Sequence, residues 1–334
     1  MGNEIRKLYI EPSTICNLSC SMCFRNLWYN EEKLKMPDDI CEKVKGLANI
    51  KSIESVVFAG MGEPLTHKRI YEMIRAFSRK GIFTEIITNG TLLTNDVSKK
   101  LVESGLGRLW ISMDGFSKQE YDKIRIGSRF ELICSNLKQF NTVREGTDTR
   151  LGITHVMMKE NVNSLSNINY FADEYSADML NLSHVIPCEP VDKSDTMYSS
   201  DLPVGRMKRF VKPYTKLKQY SCPFVEADAI FVRADGDIAP CMQLLHNCYT
   251  YLYDEKRRIE RQAYGNLLID DLYEVYSKTE YVEFRKRVEQ FHFSNCTGCT
   301  TGCFMRESNL EDCMCNEKPT CGGCLWSLGI ISCP

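Results

Sequence analysis

Three thiols stand within eight residues in Cys16-Asn17-Leu18-Ser19-Cys20-Ser21-Met22-Cys23, directly after the apolar stretch Leu8-Tyr9-Ile10. Three soft ligands on so short a loop converge on one iron–sulfur cube and leave its fourth iron without a protein ligand, open for chemistry. Two plainer readings compete. A zinc knuckle normally takes four ligands, and a disulfide with a spare thiol has little reason to form in a chain without export signals.

At 334 residues the chain has core enough for one large α/β domain and a smaller second one. Its 42 basic and 44 acidic side chains, a net charge of -2, give no electrostatic footprint for nucleic acid. The first residues lack the apolar centre of a signal peptide, Arg6 stands where a myristoylation site needs Ser or Thr, and no stretch is long enough to span a bilayer. A cytoplasmic protein with no membrane partner is expected. There, seventeen cysteines call for metal ligation, since a reducing compartment disfavours disulfides. Eight crowd between Cys296 and Cys333, whereas Cys41, Cys134, Cys188 and Cys248 stand apart and for the most part read as small buried hydrophobes.

From residue 8 to about 187, short β-branched runs alternate with longer amphipathic ones, the pattern of βα units on a parallel sheet. Strands are expected at 8–11, 55–59, 83–88, 108–113, 152–157 and 179–186, and helices at 37–48, 68–80, 96–104, 131–143 and 164–175. Six strands of this kind curl into an open partial barrel of TIM type, (β/α)6, whose chemistry gathers at the C-terminal ends of the strands. Between Pro187 and Tyr220 the alternation stops. This stretch reads as a connector with a helix near 206–217, giving divisions at 1–187, 188–221 and 222–334.

The Cys16-x3-Cys20-x2-Cys23 spacing resembles that of the radical S-adenosylmethionine (SAM) enzymes. In that family the open iron binds SAM, and an electron from the cube cleaves it to methionine and a 5'-deoxyadenosyl radical. The resemblance extends to Gly60-Met61-Gly62-Glu63-Pro64, similar to the Gly-Gly-Glu-Pro motif that binds the amino group of SAM, and to Thr88-Asn89-Gly90 and Ile111-Ser112-Met113-Asp114-Gly115. It implies SAM contacts at Gly60, Gly62, Glu63, Pro64 and Asn89, hydrogen bonding of Ser112 and Asp114 with the ribose and carboxylate region of SAM, and a carboxylate clamp at Arg125. Asn161 and His184 fall where the family contacts the nucleoside. Each has a plain alternative: Asn-Gly and Asp-Gly are common turn pairs, Arg125 reads equally as a solvated arginine, and a lone His in an apolar strand is usually a core residue.

From Cys222 the composition changes. Residues 222–241 read as a β-hairpin turning at Asp235-Gly236 and bounded by two thiols. They resemble the opening of the SPASM domain, a C-terminal extension of many radical SAM enzymes that carries auxiliary [4Fe-4S] clusters. Two protein-held cubes need eight thiolates, and Cys222, Cys241, Cys296, Cys299, Cys303, Cys313, Cys321, Cys324 and Cys333 supply them with Cys315 as a spare. A zinc ribbon from Cys296, Cys299, Cys321 and Cys324 is the alternative.

Cys303 follows Cys299 after three residues, where the common SPASM pattern has five. The closing stretch instead resembles the maturases associated with tungsten-containing aldehyde ferredoxin oxidoreductases. That implies hydrogen abstraction in the maturation of such an enzyme or its cofactor, a low-potential donor of ferredoxin or flavodoxin type, and a tungsten enzyme or peptide as partner. A peptide-modifying enzyme of natural-product type is the alternative. A sulfatase-type maturase fits less well, because Met242 stands where those enzymes carry an Asp base. Of another class is a non-catalytic iron–sulfur carrier or scaffold, which leaves the Gly60 to Pro64 motif unexplained.

Overall fold

The computed structural model describes residues 4–190, 222–252, 255–296, 303–327, 331 and 333. The helix expected near 206–217 and the ligand candidate Cys299 lie outside them.

All six expected strands form: β1 (Lys7–Ile10), β2 (Ser55–Phe58), β3 (Phe83–Thr88), β4 (Arg108–Ser112), β5 (Arg150–Met157) and β6 (Met179–His184). They pair in parallel in chain order, as the barrel reading requires. Helices α1 (Asp38–Gly46), α2 (Ile70–Ser78), α3 (Asn95–Glu103), α4 (Lys118–Ile124), α5 (Phe130–Arg144) and α6 (Ile168–Glu174) connect them. On α2, Ile70, Met73, Ile74 and Phe77 are buried at helical spacing, so one stripe packs against the sheet. Gly152 on β5 makes room for the Trp110 ring of β4 where a Cβ would collide with it.

Helix α4 was not expected from periodicity. Ser117 caps it by accepting from Glu120 N–H at 3.3 Å, while the Glu120 carboxylate accepts Phe116 N–H at 2.8 Å. The first is the N-cap bond of a capping box; the second reaches back one residue beyond the cap. Its end positions Arg125.

The hairpin also forms. Its strands β7 (Ala229–Val232) and β8 (Asp237–Ala239) pair antiparallel, and Gly236 at the turn has φ 87°. Unexpectedly, β7 also pairs in parallel with β1, placing Lys7 opposite Ala229 and Ile10 opposite Val232. Tyr9 stacks on Phe231 across this joint with ring centroids 4.4 Å apart. Among the described residues, one nine-stranded mixed sheet thus runs from β11 (Gly265–Asn266) through β8, β7 and β1 to β6. The tail adds a second hairpin, β9 (Cys248–Leu252) with β10 (Glu255–Ile259), and the helices α7 (Pro223–Glu226), α8 (Leu272–Ser277) and α9 (Thr279–Glu289). No helix among the described residues is long and apolar enough to cross a membrane.

Candidate functional site

The three-thiol loop leaves β1 at its C-terminal end, and the remaining barrel candidates lie at or just beyond the C-terminal ends of the strands beside it, except Arg125, which follows α4 and reaches the loop from there. The loop is pinned to the segment around the end of α4: Ser19 N–H donates to Ile126 O and Ser21 N–H to Ile124 O, both at 3.0 Å. Cys16 and Cys23 are half-buried and Cys20 is buried. Burial pushes the Cys20 thiol up in pKa, and the Arg125 guanidinium, with Nη1 3.9 Å from the sulfur, pulls it back toward the thiolate that iron binds. Three thiols with no imidazole or carboxylate among them would suit an iron–sulfur cube as donors.

Asn89 reaches this loop directly. Its Nδ2 donates to Asn17 Oδ1 at 3.0 Å and lies 3.7 Å from Cys16 Sγ. Glu63 faces inward: Thr88 Oγ1, Asn89 N–H and Leu65 N–H donate to its carboxylate at 2.7, 2.8 and 3.1 Å. Burial raises its pKa and these donors oppose the rise. Glu63 thereby ties the end of β2 to the end of β3, and buried Pro64 begins the short 3-10 turn that it caps. At Gly60 and Gly62 the space a Cβ would need belongs to the chain itself, to Glu11 Cγ (2.5 Å) and to Ser13 O. The glycines let this loop lie against the start of the cysteine loop.

Arg125 is buried, which excludes the solvated reading. Its Nε donates to Asp114 Oδ2 at 2.6 Å and its Nη2 pairs with the same oxygen. Burial opposes the guanidinium charge, but Asp114, with Cys20 and Tyr121, outweighs it and leaves the pKa raised. Asp114 also accepts Val156 N–H at 2.8 Å, and Asn161 donates to Asp114 O and Val156 O at 3.0 and 2.8 Å. Both side chains are fully enclosed, with these polar atoms taken up inside the chain. Ser112 keeps a half-buried place on the rim, 3.5 Å from the Thr154 hydroxyl. His184 is buried, and burial lowers its pKa to about 4, so it is neutral. Cys188, expected to be a small buried hydrophobe, is half-buried on the cysteine loop with its thiol 3.5 Å from Met22 O.

His246 carries no motif in the sequence, yet it joins tail to rim. Its Nε2 lies 2.9 Å from Glu11 Oε1 and its Nδ1 2.9 Å from Glu31 Oε2. Glu11 accepts Met61 N–H at 2.9 Å, Arg233 donates to Glu31 at 3.1 Å, and Trp28 stacks on the imidazole at 4.2 Å. Burial alone would lower the His246 pKa; Glu11 and Glu31 reverse this and hold it raised.

In the tail, Cys222, Cys241, Cys321 and Cys324 come together. Burial pushes all four thiols up, and neighbouring thiolates add to this at Cys222, Cys241 and Cys321, Cys222 reaching about 12. Cys241, Cys321 and Cys324 line one cavity of about 30 Å³ with Arg257 and Thr320. In it the Thr320 hydroxyl and the Arg257 Nε and Nη1 atoms are buried without a protein partner. Three thiols and unpartnered cationic donors around one space, with Cys222 beside them, would suit an anionic cube. Cys313, exposed, lies close enough to raise the Cys296 pKa and has its sulfur 3.0 Å from Ser294 Oγ. Cys303 lines a separate surface groove, and Cys333 accepts Trp326 Nε1–H at 3.3 Å. Among the described residues no three His, Cys, Asp or Glu side chains are gathered as tightly as a single metal ion needs, and Cys296, Cys321 and Cys324 of the zinc-ribbon alternative are among those described.

The pattern of the radical SAM superfamily matches residues 10–167, and that of the SPASM iron–sulfur cluster-binding domain matches 222–300. Over 99% of its length the chain is 27% identical to the tungsten-containing aldehyde ferredoxin oxidoreductase cofactor-modifying protein of Pyrococcus furiosus, covering 97% of that protein. A GTP 3',8-cyclase of Clostridium perfringens is 32% identical over 63% of this chain, which spans 59% of that enzyme. In fold, the chain is similar to Streptococcus suis SuiB bound to its precursor peptide SuiA, with a TM-score of 0.62 and 20% identity over 85% of this chain and 67% of that one. The thiol loop on the parallel rim and the thiol-rich tail fall inside the two matched segments. The chain therefore belongs to the radical SAM superfamily, as an enzyme that uses SAM and iron–sulfur clusters and carries a C-terminal domain of the SPASM type.

Proposed function

We propose that this enzyme abstracts a hydrogen atom from a substrate during maturation of a tungsten-dependent oxidoreductase or its cofactor. The observation that carries the reading is the match to the Pyrococcus furiosus protein, which runs through barrel and tail alike. Cys16, Cys20 and Cys23 would hold the catalytic cube. Bound there with SAM, it supplies the electron that releases a 5'-deoxyadenosyl radical. The chain's own part is to fix the thiol loop through Asn89 and the residues following Tyr121, to hold a cation beside Cys20 with Arg125, and to keep water from the rim. Gly60, Gly62, Glu63, Pro64, Asn89, Ser112, Asp114, Arg125, Asn161 and His184 are the positions proposed for SAM, of which Glu63, Asp114 and Asn161 are also bonded within the chain. Two auxiliary cubes in the tail and a ferredoxin or flavodoxin as electron donor complete the proposal, with the reaction in the cytoplasm.

A peptide substrate is the second reading, favoured by the open groove that Tyr249, Lys256, the 72% exposed Phe304 and Leu310 line in the tail. The two are separated by expressing a tungsten aldehyde oxidoreductase with and without this enzyme. Active oxidoreductase only in its presence supports the first, and equal activity without it defeats it.

A further inference from the structure

Arg257 lies on β10 at 3% exposure, and its Nη2 donates to Ser308 O at 3.1 Å. Its Nε and Nη1 are buried without a hydrogen bond, and no carboxylate pairs with it among the described residues. A second guanidinium, that of Arg306, is buried nearby and repels it; Arg306 has one carboxylate partner, Glu255, at 3.0 Å. An uncompensated buried cation costs several kcal/mol, and a second one close by adds to that cost. The protein groups that favour the Arg257 charge are sulfurs: Cys296, Cys324 and Cys321. Cys321 and Cys324 share the cavity into which Arg257 projects, together with Cys241.

A cube on four thiolates is a net anion and gains a further negative charge on reduction. A fixed cation with two free donors beside it favours the reduced form, since net charge and hydrogen bonds to sulfur both set cluster potentials. We infer that Arg257 is the buried counter-ion of an auxiliary cluster held by Cys222, Cys241, Cys321 and Cys324 and that it raises this cluster's reduction potential. The inference rests on the auxiliary clusters proposed above. It makes Arg257 the residue that decides whether this cluster accepts electrons in the working range of the enzyme.

The test uses the full chain with Cys16, Cys20 and Cys23 changed to Ala, so that only tail clusters report. Iron content and a potentiometric titration followed by electron paramagnetic resonance are compared for this parent and for its Arg257→Gln and Arg257→Lys versions. With Gln, the reduced-to-oxidised ratio of one cluster at a fixed potential is expected to fall at least tenfold, about 59 mV for one electron. Lys, which keeps the charge and loses the fork, is expected to fall less. Iron lost from the Gln protein and kept by the Lys protein also supports the counter-ion role. Unshifted potentials with full iron in both, or equal iron loss from both, overturn that role and leave the clusters standing. A parent without tail iron overturns the clusters themselves.

Discussion

His246 Nε2 lies 2.9 Å from Glu11 Oε1, and the same Glu11 oxygen accepts the Met61 N–H at 2.9 Å. A tail residue therefore holds the carboxylate that orients the loop expected to meet SAM. Because Glu31 and Arg233 extend the chain of charges, changing one member leaves the others buried and unmatched.

His246→Gln is expected to lower stability by about 3–5 kcal/mol, the cost of breaking a buried ion pair from one side. The pH dependence follows from the two shifts. The raised His246 pKa contributes stability that is complete below its unfolded value of about 6.5 and is lost as pH rises through the folded value. Glu31 is opposed by burial, but His246, Asn247 N–H and Arg233 leave its pKa lowered, so its contribution is present above about 4.5 and is lost as pH falls through the folded value. Urea denaturation across this range should give a maximum between the two, and His246→Gln should flatten its alkaline side. An unchanged alkaline limb would remove His246 from this role.

Replacing Arg125 by Lys should weaken the tie to Asp114, because one ammonium cannot reproduce the contacts from Nε and Nη2. A loss of about 1–3 kcal/mol in SAM binding is expected, read by anaerobic calorimetry. Full affinity would confine Arg125 to the fold.

The variants Cys16→Ala, Cys20→Ala and Cys23→Ala should each abolish 5'-deoxyadenosine formation from SAM and dithionite, since two thiolates do not hold the catalytic cube. The triple variant should keep about eight of about twelve irons if the tail holds two cubes. Undiminished product from all three single variants, or a single zinc in the tail, would contradict the assignment.

Gly62→Ala tests the approach of the motif loop to the cysteine loop. The new Cβ meets Ser13 O and then Ile15 O at 2.7 Å, both main-chain atoms that cannot swing aside. We expect destabilisation of about 1–3 kcal/mol and weaker SAM binding, whereas Gly46→Ala, with open space around its Cβ, should do neither.

The barrel was legible because each strand is a short apolar run and its neighbours in the chain are its neighbours in space. Ser117 and Glu120 show what periodicity alone misses: their Ser-x-x-Glu spacing announces α4, but the helix after it is only seven residues long. The thiol loop was legible from spacing, whereas the roles of Glu63, Asp114 and Asn161 were not. Asx and Glu side chains look the same in sequence whether they face a cofactor or bind their own chain, and here Glu63 and Asp114 also join segments far apart in sequence. His246 and Arg257 were invisible because their partners lie far away along the chain, and neither sits in a recurrent spacing.

The pairing of Lys7 with Ala229 has a consequence for how the molecule is made. As the chain leaves the ribosome, the barrel strands can assemble in order, but β1 waits at an open edge until the tail has been synthesised. The three thiols just beyond it wait as well, beside an unfinished sheet. Iron delivered before β7 arrives would meet a site without its His246 support, and iron delivered afterwards a finished one. Biosynthetic timing, and with it protection of the nascent chain from oxidants, is thereby written into one strand pair.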